Sequence, residues 1–390
     1  MINLIKNCEV YSPKFLGKKD ILICNDKIEG IYENLSVNET GLNISIIDGD
    51  GMLLFPGFID AHVHIIGGGG EDGYTTRTPE LKLSELTKAG ITTVVGCLGT
   101  DNISRNINTL IAKAKGLKEE GITAFCYTGS YEIPVKTATG SIKSDLILIE
   151  EIIGTGEIAL SDHRSSQPTY EEFARVVSES RVAGLISGKC GIVNVHIGNG
   201  QRKLEYLSKL IKETEIPGTQ LFPTHINRNN QLFQKGLEYV KNGGYIDLTT
   251  SCDLNHMEEG EIRAGDALKI IVNNDYNINN ITFTSDGNGS MPDFDKDGNL
   301  CGFGICSVKS LYDEVKYAIQ KCSIPIETAI QVITSNVAER LLFKSKGYIK
   351  HGYDADLVMV NKETLEIENV FARGKLMVEN KKVIVKGFFE

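Results

Sequence analysis

Long apolar runs are missing from this 390-residue sequence. No stretch approaches the roughly 20 consecutive apolar residues that a membrane-spanning helix needs. The first residues of the chain also lack the apolar segment of a secretory signal peptide. From these absences we expect a cytoplasmic protein that has no membrane partner.

Closely spaced cysteine pairs and a surplus of basic residues are missing as well. The nine cysteines are scattered and none forms a CxxC pair, a pattern that favours reduced, buried thiols over a disulfide framework. The formal net charge is -10, which argues against nucleic acid as a partner. An anionic small substrate remains compatible with this charge, because a few local arginines can outweigh a diffuse background field.

Both ends of the chain are rich in short strand patterns separated by turns. Residues 20–24 and 27–32 flank the turn pair Asn25-Asp26. Similar strands are predicted near the other end, at 354–360, 367–371 and 376–378. Two β-rich ends around a different middle indicate one small β-sandwich-like domain, which we predict to comprise residues 1–56 and 343–390.

The middle of the chain alternates short apolar strands with amphipathic helices. Helical spacing is present at 103–118, 170–187, 204–214 and 230–242. Predicted strands lie at 58–60, 91–96, 122–127, 156–162, 192–196, 221–225, 245–249 and 281–286. Eight βα units in succession favour a closed (β/α)8 barrel, which we place at residues 57–342.

An open, doubly wound sheet is the alternative fold for such an alternating pattern. Its G-x-G-x-x-G fingerprint after a strand is missing from this sequence. The glycine run 67–70 also lacks the Lys-Ser/Thr ending of a phosphate-binding loop. The fold class is therefore predicted as α/β with a TIM-type barrel.

The stretch GFIDAHVHIIGGGGE, residues 57–71, places two histidines at the end of the first predicted barrel strand. Residues i and i+2 of a strand point to the same side, so His62 and His64 can reach one metal ion. The glycines that follow let the backbone turn sharply and pass close to a ligand. Two histidines buried in a strand for packing reasons are the alternative, and further ligands elsewhere in the chain decide between the two.

Polar side chains with metal or catalytic chemistry recur at the predicted strand ends, where barrels place their active sites. Four of the seven histidines lie there, together with two carboxylates. These strand-end residues are His62, His64, Thr100, Tyr131, Glu157, Arg164, His196, His225, Arg228 and Asp286. Imidazole and carboxylate ligands suit zinc or a similar divalent ion. A pair of ions about 3.5–4 Å apart needs a bridging carboxylate, and Asp286 is the natural proton shuttle.

Several motifs together resemble the amidohydrolase superfamily. They are PGFIDAHVH at 56–64, TSNVAERL at 334–341 and the stretch 352–360. Further motifs resemble the isoaspartyl (β-aspartyl) dipeptidases within it: GGGGE at 67–71, TTRTPE at 75–80, GTD at 99–101, SDHRS at 161–165, PTHINRN at 223–229 and SDGNGS at 285–290. The resemblance covers nearly the whole chain. It implies metal-dependent hydrolysis of β-aspartyl dipeptides to aspartate and a free amino acid.

The resemblance also implies roles for particular residues. Two zinc ions would be bound by His62, His64, His196, His225 and Asp286. The substrate would be lined by Gly69, Gly70, Glu71, Thr100, Tyr131, Arg164, Arg228 and Ser290. A homo-oligomer, specifically an octamer, is also implied.

The chemistry of a β-aspartyl dipeptide fits these residue types. Its ammonium group would pair with Glu71, and its two carboxylates with Arg164 and Arg228. Tyr131 could donate a hydrogen bond to the developing oxyanion, so it is grouped with Asp286 and Glu71 as catalytic. Considered alone, Glu71 could equally be a solvated loop acid and Arg164 a structural ion-pair partner.

One position departs from the family pattern. Isoaspartyl dipeptidases usually carry a carboxylated lysine on the fourth barrel strand as the bridging ligand, and this chain has Glu157 there. A carbamate on lysine is a long-armed carboxylate, and glutamate is a shorter one that needs no modification. We therefore predict that Glu157 bridges two metal ions directly. The alternative is that Glu157 is merely polar and the site holds one metal or none.

Two other functions remain open at this point. A cyclic-amide hydrolase of the dihydroorotase or hydantoinase kind shares the His-x-His pair, but it does not predict Glu71 after a glycine run. A non-catalytic scaffold on the same barrel should have lost ligands, whereas here only the fourth-strand position has changed, and it kept a carboxylate.

Overall fold

The computed structural model describes residues 2–36, 43–252, 257, 260–294 and 300–390. The chain begins with strands that belong to a sheet outside the barrel. They are β1 (Ile2–Ser12), β2 (Lys14–Cys24), β3 (Lys27–Tyr32), β4 (Ile44–Asp48) and β5 (Met52–Pro56). Strands β1, β2 and β3 form an antiparallel meander, and β4 and β5 run parallel to β1.

Eight parallel strands follow and form the barrel. They are β6 (Phe58–Val63), β7 (Ile91–Gly96), β8 (Thr123–Thr128), β9 (Ile152–Leu160), β10 (Ile192–Ile197), β11 (Leu221–Thr224), β12 (Ile246–Thr249) and β13 (Ile281–Thr284). Every residue of β6, β7, β9 and β10 is buried, as expected for parallel strands covered on both faces. The eight predicted strands and the TIM-type barrel are confirmed.

Backbone hydrogen bonds close the barrel at the two places where neighbouring strands form no continuous ladder, between β11 and β12 and between β13 and β6. Strands β6 to β11 pair in sequence order and β12 pairs with β13. The Ile226 N–H donates to Asp247 O at 3.2 Å, which joins the end of β11 to β12. The His64 N–H donates to Gly287 O at 2.9 Å and so joins β6 to the segment after β13. This second bond fixes His64 beside the chain that carries Asp286.

Helices connect and surround the strands. Up to the eighth strand they are α1 (Leu83–Lys88), α2 (Ile107–Glu120), α3 (Ile142–Leu148), α4 (Tyr170–Ser187), α5 (Glu205–Glu213), α6 (Asn230–Lys241) and α7 (Ala264–Asn273), with 3-10 turns at Tyr74–Thr76, Gly218–Gln220 and Ile278–Asn280. A hairpin, β14 (Ser290–Phe294) and β15 (Leu300–Ile305), precedes α8 (Ser310–Gln320), α9 (Ile326–Gln331) and α10 (Ser335–Arg340). Among the described helices, none combines the length and apolar character required to cross a bilayer.

Helix α4 agrees with its predicted bounds, whereas α2 begins four residues later than predicted. At α4, the Thr169 side chain accepts from the Glu172 N–H and Glu172 reaches back to the Thr169 N–H, forming a capping box. At α2, the Asn106 side chain accepts from the Thr109 N–H and so starts the helix at Ile107. The preceding residues make a turn instead, because the Asp101 carboxylate accepts from backbone N–H groups there.

The chain ends with four strands that complete the first sheet: β16 (Leu357–Asn361), β17 (Ile367–Ala372), β18 (Lys375–Glu379) and β19 (Lys382–Val383). Strand β16 pairs antiparallel with β5, so the two chain termini share one nine-stranded sheet. The predicted β-rich unit built from both ends is confirmed. Its boundaries at 56/57 and 342/343 stay a prediction.

A largely buried ion cluster lies where this sheet meets the first barrel strand. Lys346 Nζ lies 2.9 Å from Asp354 Oδ2 and 2.5 Å from Asp356 Oδ2. The backbone of Asp356 accepts from the Gly57 N–H at 2.7 Å. Because Gly57 directly precedes β6, the sheet fixes the strand that carries the two histidines.

Candidate metal centre and substrate cavity

The His-x-His pair lies at the carboxyl end of β6, inside the barrel. His62 is fully buried and His64 is 6% exposed. The His62 Nδ1 atom lies 3.1 Å from Asn194 Oδ1, so its N–H is used there and Nε2 is left as a lone-pair donor facing the Glu157 carboxylate. The ring of His62 packs edge-on against those of His64 and His225.

Glu157, on β9, lies at the centre of the histidine cluster. Its Oε1 atom is 2.7 Å from His196 Nδ1 and 3.3 Å from His225 Nε2. Its Oε2 atom is 3.4 Å from His62 Nε2 and 3.9 Å from His64 Nε2. Each oxygen of the one carboxylate therefore faces a different pair of histidines.

The cluster divides into two groups of donor atoms that share Glu157. In the first group, donor atoms of His62, His64, Cys97 and Glu157 lie within 4.8 Å of one another. In the second group the same holds for Glu157, His196 and His225. The buried atoms His62 Nε2 and Glu157 Oε2 have no hydrogen-bond partner in the described part of the chain. Buried polar atoms without partners are costly, so this donor set fits divalent cations.

Asp286 follows β13 and faces the same cluster from the open side. Its Oδ1 atom is 3.2 Å from His64 Nε2 and 3.5 Å from His62 Nε2, and its side chain is 24% exposed. Burial alone would raise the pKa of the Asp286 carboxyl, but the neighbouring imidazoles of His62 and His64 outweigh it and hold the pKa well below its usual value. Asp286 is therefore an ionised carboxylate between the histidines and the cavity.

His225 and His196 are each oriented by hydrogen-bonding neighbours of their own. Burial, together with the nearby charge of His196, lowers the pKa of His225 to about 3, so its ring is the neutral form that binds metals. Its Nδ1 atom lies 2.7 Å from Thr249 Oγ1, which leaves Nε2 for Glu157 and the cluster. His196 Nε2 lies 2.9 Å from Asp162 Oδ2, and its Nδ1 lies 2.9 Å from the Tyr131 hydroxyl.

A cavity of about 390 Å³ opens from the cluster toward solvent. Six residues expected to bind substrate line it: Gly69, Glu71, Tyr131, Arg164, Arg228 and Ser290. A seventh, Thr100, donates from its hydroxyl to Glu71 Oε1 at 3.0 Å. The eighth, Gly70, is not among the lining residues of the described chain, and its backbone lies against Arg77.

Opposite charges face each other at the outer end of this cavity. Arg164 Nη1 is 3.5 Å from Glu71 Oε1, and the two side chains are 30% and 35% exposed. Arg164 also donates to both oxygens of Asp162, at 3.1 and 2.9 Å. Burial alone would lower the pKa of Arg164, but Asp162 outweighs it and keeps the guanidinium charged. The Arg228 Nε–H has no partner in the described part of the chain, although Arg228 lines the cavity.

Glycine shapes the inner wall next to the substrate residues. Gly69 has φ +68°, and a Cβ built on it would lie 2.9 Å from Ser290 Cβ. A larger residue would therefore be strained and would displace Ser290. The predicted close approach of the glycine run to the cavity is seen at this residue.

Several residues of the site were not assigned roles from the sequence. Asp162 links His196 to Arg164, Asn194 orients His62, and Thr249 contacts His225. Phe303 reaches the cavity from the hairpin, and Cys97 joins the first donor group. Asp162 had a signal, because it is the second residue after β9 and belongs to the SDHR motif.

The model of the amidohydrolase family matches residues 53–388. The chain belongs to the amidohydrolase family. Its resemblance to isoaspartyl dipeptidases, drawn from the motifs, is confirmed by two solved structures of β-aspartyl dipeptidase from Fervidobacterium islandicum AW-1. One, in complex with the dipeptide β-Asp-Leu, is 45% identical with a TM-score of 0.90, and 98% of each chain is covered. The other is 43% identical, with the same TM-score and coverage.

More distant relatives share a smaller fraction of identical residues with this amidohydrolase-family chain. A D-hydantoinase from Thermus sp. is 17% identical with a TM-score of 0.68, covering 99% of this chain and 97% of that one, which shows the fold alone. Adenine deaminase of Bacillus subtilis (strain 168) is 25% identical over 394 residues. That alignment covers 94% of this chain and 59% of the deaminase, so the chain spans less than two thirds of this relative.

Proposed function

We propose that this amidohydrolase cleaves β-aspartyl dipeptides into aspartate and a free amino acid. The observation that carries this proposal is a cavity that reaches the histidine–carboxylate cluster and is lined by Glu71, Arg164 and Arg228, with Glu71 and Arg164 in contact at 3.5 Å. A β-aspartyl dipeptide has one ammonium and two carboxylates around its amide, which are the complementary charges. The similar Fervidobacterium protein was solved with β-Asp-Leu, which supports the same substrate class.

We propose that His62, His64, His196, His225, Asp286 and Glu157 hold two divalent ions, with zinc as the metal. Glu157 is the bridge in this proposal, since it is the one residue that belongs to both donor groups. Bound divalent ions supply Lewis-acid polarisation and a nucleophilic water at neutral pH. Zinc rests on the ligand types, which suit it well.

The residues of the chain then have separable tasks around the scissile amide. Asp286, ionised and facing the cavity, accepts the proton of the attacking water and delivers it to the leaving amine. Burial raises the pKa of Tyr131 well above its usual value, so its hydroxyl stays protonated and can donate to the oxyanion. Both groups border the cavity.

The charged end of the cavity selects the substrate. Glu71 pairs with the ammonium, while Arg164 and Arg228 pair with the carboxylates. Gly69 and Ser290 complete the wall, Thr100 supports Glu71 through its hydroxyl hydrogen bond, and Gly70 follows Gly69 just outside the lining residues. An ordinary α-linked dipeptide places its charges elsewhere and leaves at least one charge of the site unpaired, which is costly.

We further propose that the protein works in the cytoplasm as a homo-oligomer. The cysteines of the described chain are thiols rather than disulfides, which supports a reducing compartment. An octamer is the assembly that the family resemblance implies. The division into a β unit (1–56 and 343–390) and a barrel (57–342) is likewise a proposal.

One assay tests the proposed reaction against its alternatives. Purified protein is given β-Asp-Leu, α-Asp-Leu and dihydroorotate, each with and without a chelator. We expect leucine release from β-Asp-Leu alone, abolished by the chelator. Hydrolysis of dihydroorotate instead would favour a cyclic-amide hydrolase, and inactivity on all three would favour a non-catalytic scaffold.

Metal analysis of Glu157→Ala tests the bridge. Removing a carboxylate shared by both donor groups is expected to lower the metal content from two ions per chain toward none. An unchanged content of two ions would remove Glu157 as the bridge. Gln167→Ala is the matched control, because Gln167 lies in the loop after β9 and outside both donor groups.

A further inference from the structure

Cys97 lies at the edge of the barrel where the metal cluster is built. It directly follows β7, the neighbour of β6, and it is fully buried. The Cys97 N–H donates to Val63 O at 3.0 Å, which fixes it in register with the His62-x-His64 segment. Its Sγ atom is 3.8 Å from His64 Nδ1. The Cys97 thiol has no role in the hydrolysis as proposed above.

The position of the Cys97 sulfur matches that of a metal ligand. Sγ, one nitrogen of each histidine and one Glu157 oxygen all lie within 4.8 Å of one another. In a tetrahedral zinc site, with Zn–N about 2.0–2.1 Å and Zn–S about 2.3 Å, neighbouring ligand atoms are roughly 3.3–3.6 Å apart. The donor group, with separations of up to 4.8 Å, is wider than that and would contract around a bound ion.

Two further atoms point to a cation at this place. His62 Nε2 and Glu157 Oε2 are buried, lie 3.4 Å apart, and have no hydrogen-bond partner in the described chain. They belong to the same donor group as Cys97. Four donors from strands β6 and β9 and from the end of β7 thus converge on one point.

We propose that Cys97 is a thiolate ligand of the ion held by His62 and His64. Binding breaks the S–H bond, forms a sulfur–metal bond and releases one proton to solvent. This inference rests on the metal site of the proposed function. Under this proposal the two metal ions have different ligands. The ion beside β6 has sulfur, nitrogen and oxygen donors, whereas the ion at His196 and His225 has only nitrogen and oxygen donors.

The unlike donors predict a difference in metal preference. A thiolate favours ions such as zinc, cadmium and cobalt over magnesium and manganese, which prefer oxygen ligands. The ion beside Cys97 is therefore the one that resists exchange for manganese. The ion held by His196 and His225 exchanges first.

Cobalt substitution tests the sulfur bond without relying on activity. The metal-stripped protein is reloaded with Co²⁺, and its near-ultraviolet spectrum is searched for thiolate-to-cobalt charge transfer. We expect this absorption in the native protein and its loss in Cys97→Ser. Cys126→Ser is the matched control, because Cys126 is a buried thiol on the neighbouring strand β8 outside both donor groups, and it should keep the band.

A bound Co²⁺ without charge transfer, or a band that persists in Cys97→Ser, would overturn the inference. If Cys97→Ser does not fold, cadmium-113 NMR of the native protein gives the answer, since a thiolate ligand shifts the resonance strongly downfield. A resonance typical of nitrogen and oxygen ligands alone would also overturn it, and so would a native chain that binds neither metal. Leucine release from β-Asp-Leu is measured on the same samples: a sulfur band with no hydrolysis refutes the proposed function alone, and hydrolysis with no band refutes the sulfur ligand alone.

Discussion

The two ends of the cavity differ in how their charged and polar groups are partnered. At the inner end, four histidines and Glu157 are buried, and two of their atoms have no partner in the described chain. At the outer end, Glu71 and Arg164 are about one third exposed and lie 3.5 Å apart. The donor atoms of the inner end need a cation as their partner. At the outer end, Glu71 and Arg164 pair with each other until substrate charges take their place.

This difference assigns chemistry to the inner end and selection to the outer end. Exposed ion pairs are worth little, about 0–1 kcal/mol, so substrate displaces the Glu71–Arg164 contact at small cost. The buried donors of the inner end have no alternative partner, so removal of one donor leaves the buried charges of the others unpaired. Changes at the inner end should therefore lower kcat, and changes at the outer end should raise KM.

The largest effect is expected at Asp286, which contacts His64 and lines the cavity. Asp286→Asn keeps the shape and removes the proton acceptor, so kcat for β-Asp-Leu should fall by about 10²–10⁴ while KM changes little. Steady-state kinetics with metal content measured alongside checks this. Asp101→Asn, in the turn before α2, is the control and should stay near the native rate. A full rate for Asp286→Asn at normal metal content would remove the shuttle.

A smaller effect is expected at Arg228, which lines the cavity and is proposed to bind a substrate carboxylate. Arg228→Met removes a guanidinium that has an unpartnered Nε–H in the described chain and borders the cavity. Losing one charged hydrogen bond of about 1.5–3 kcal/mol should lower kcat/KM about 10- to 100-fold, mainly through KM. Arg202→Met is the control, since Arg202 lines a different cavity. A fall in kcat with unchanged KM would contradict the division between the two ends.

The smallest effect concerns a buried carboxyl beneath the inner end. Asp247 accepts hydrogen bonds from the hydroxyls of Thr224, Thr282 and Thr284, and burial raises its pKa from 3.8 to about 7. The folded state therefore holds this proton over a pH range where the unfolded chain has lost it. Stability should fall as pH rises from about 4 to about 7, by up to about 4 kcal/mol, and stay level above that range.

Urea unfolding of the metal-stripped protein at several pH values measures this slope. Asp247→Asn should flatten it, whereas Asp313→Asn, an exposed carboxylate on α8, should leave it unchanged. A slope that survives in Asp247→Asn would assign it to other groups.

Sequence predicted the inner end better than the outer end for a geometrical reason. His62 and His64 are two residues apart in one strand, so their common direction follows from strand periodicity. Glu157, His196 and His225 lie far apart in the chain, but they share the carboxyl edge of one barrel, so the predicted fold brings them together. The structure places all of these predicted ligands within one cluster.

The missed residues depend on distances across the barrel. Asp162 faces His196 rather than solvent, and Asn194 orients His62 from a strand that does not neighbour β6. Neither contact follows from periodicity within a strand. The pairing of Glu71 with Arg164 also joins two loops about ninety residues apart, so the sequence named both residues but not their contact.

Anomalous diffraction at the zinc edge tests the central claim, that one carboxylate serves both donor groups. Crystals of the zinc-loaded protein should show two peaks about 3.5–4 Å apart, with Glu157 in contact with both. One peak should lie beside His62 and His64, and the other beside His196 and His225. A single peak, or two peaks that both avoid Glu157, would contradict the account.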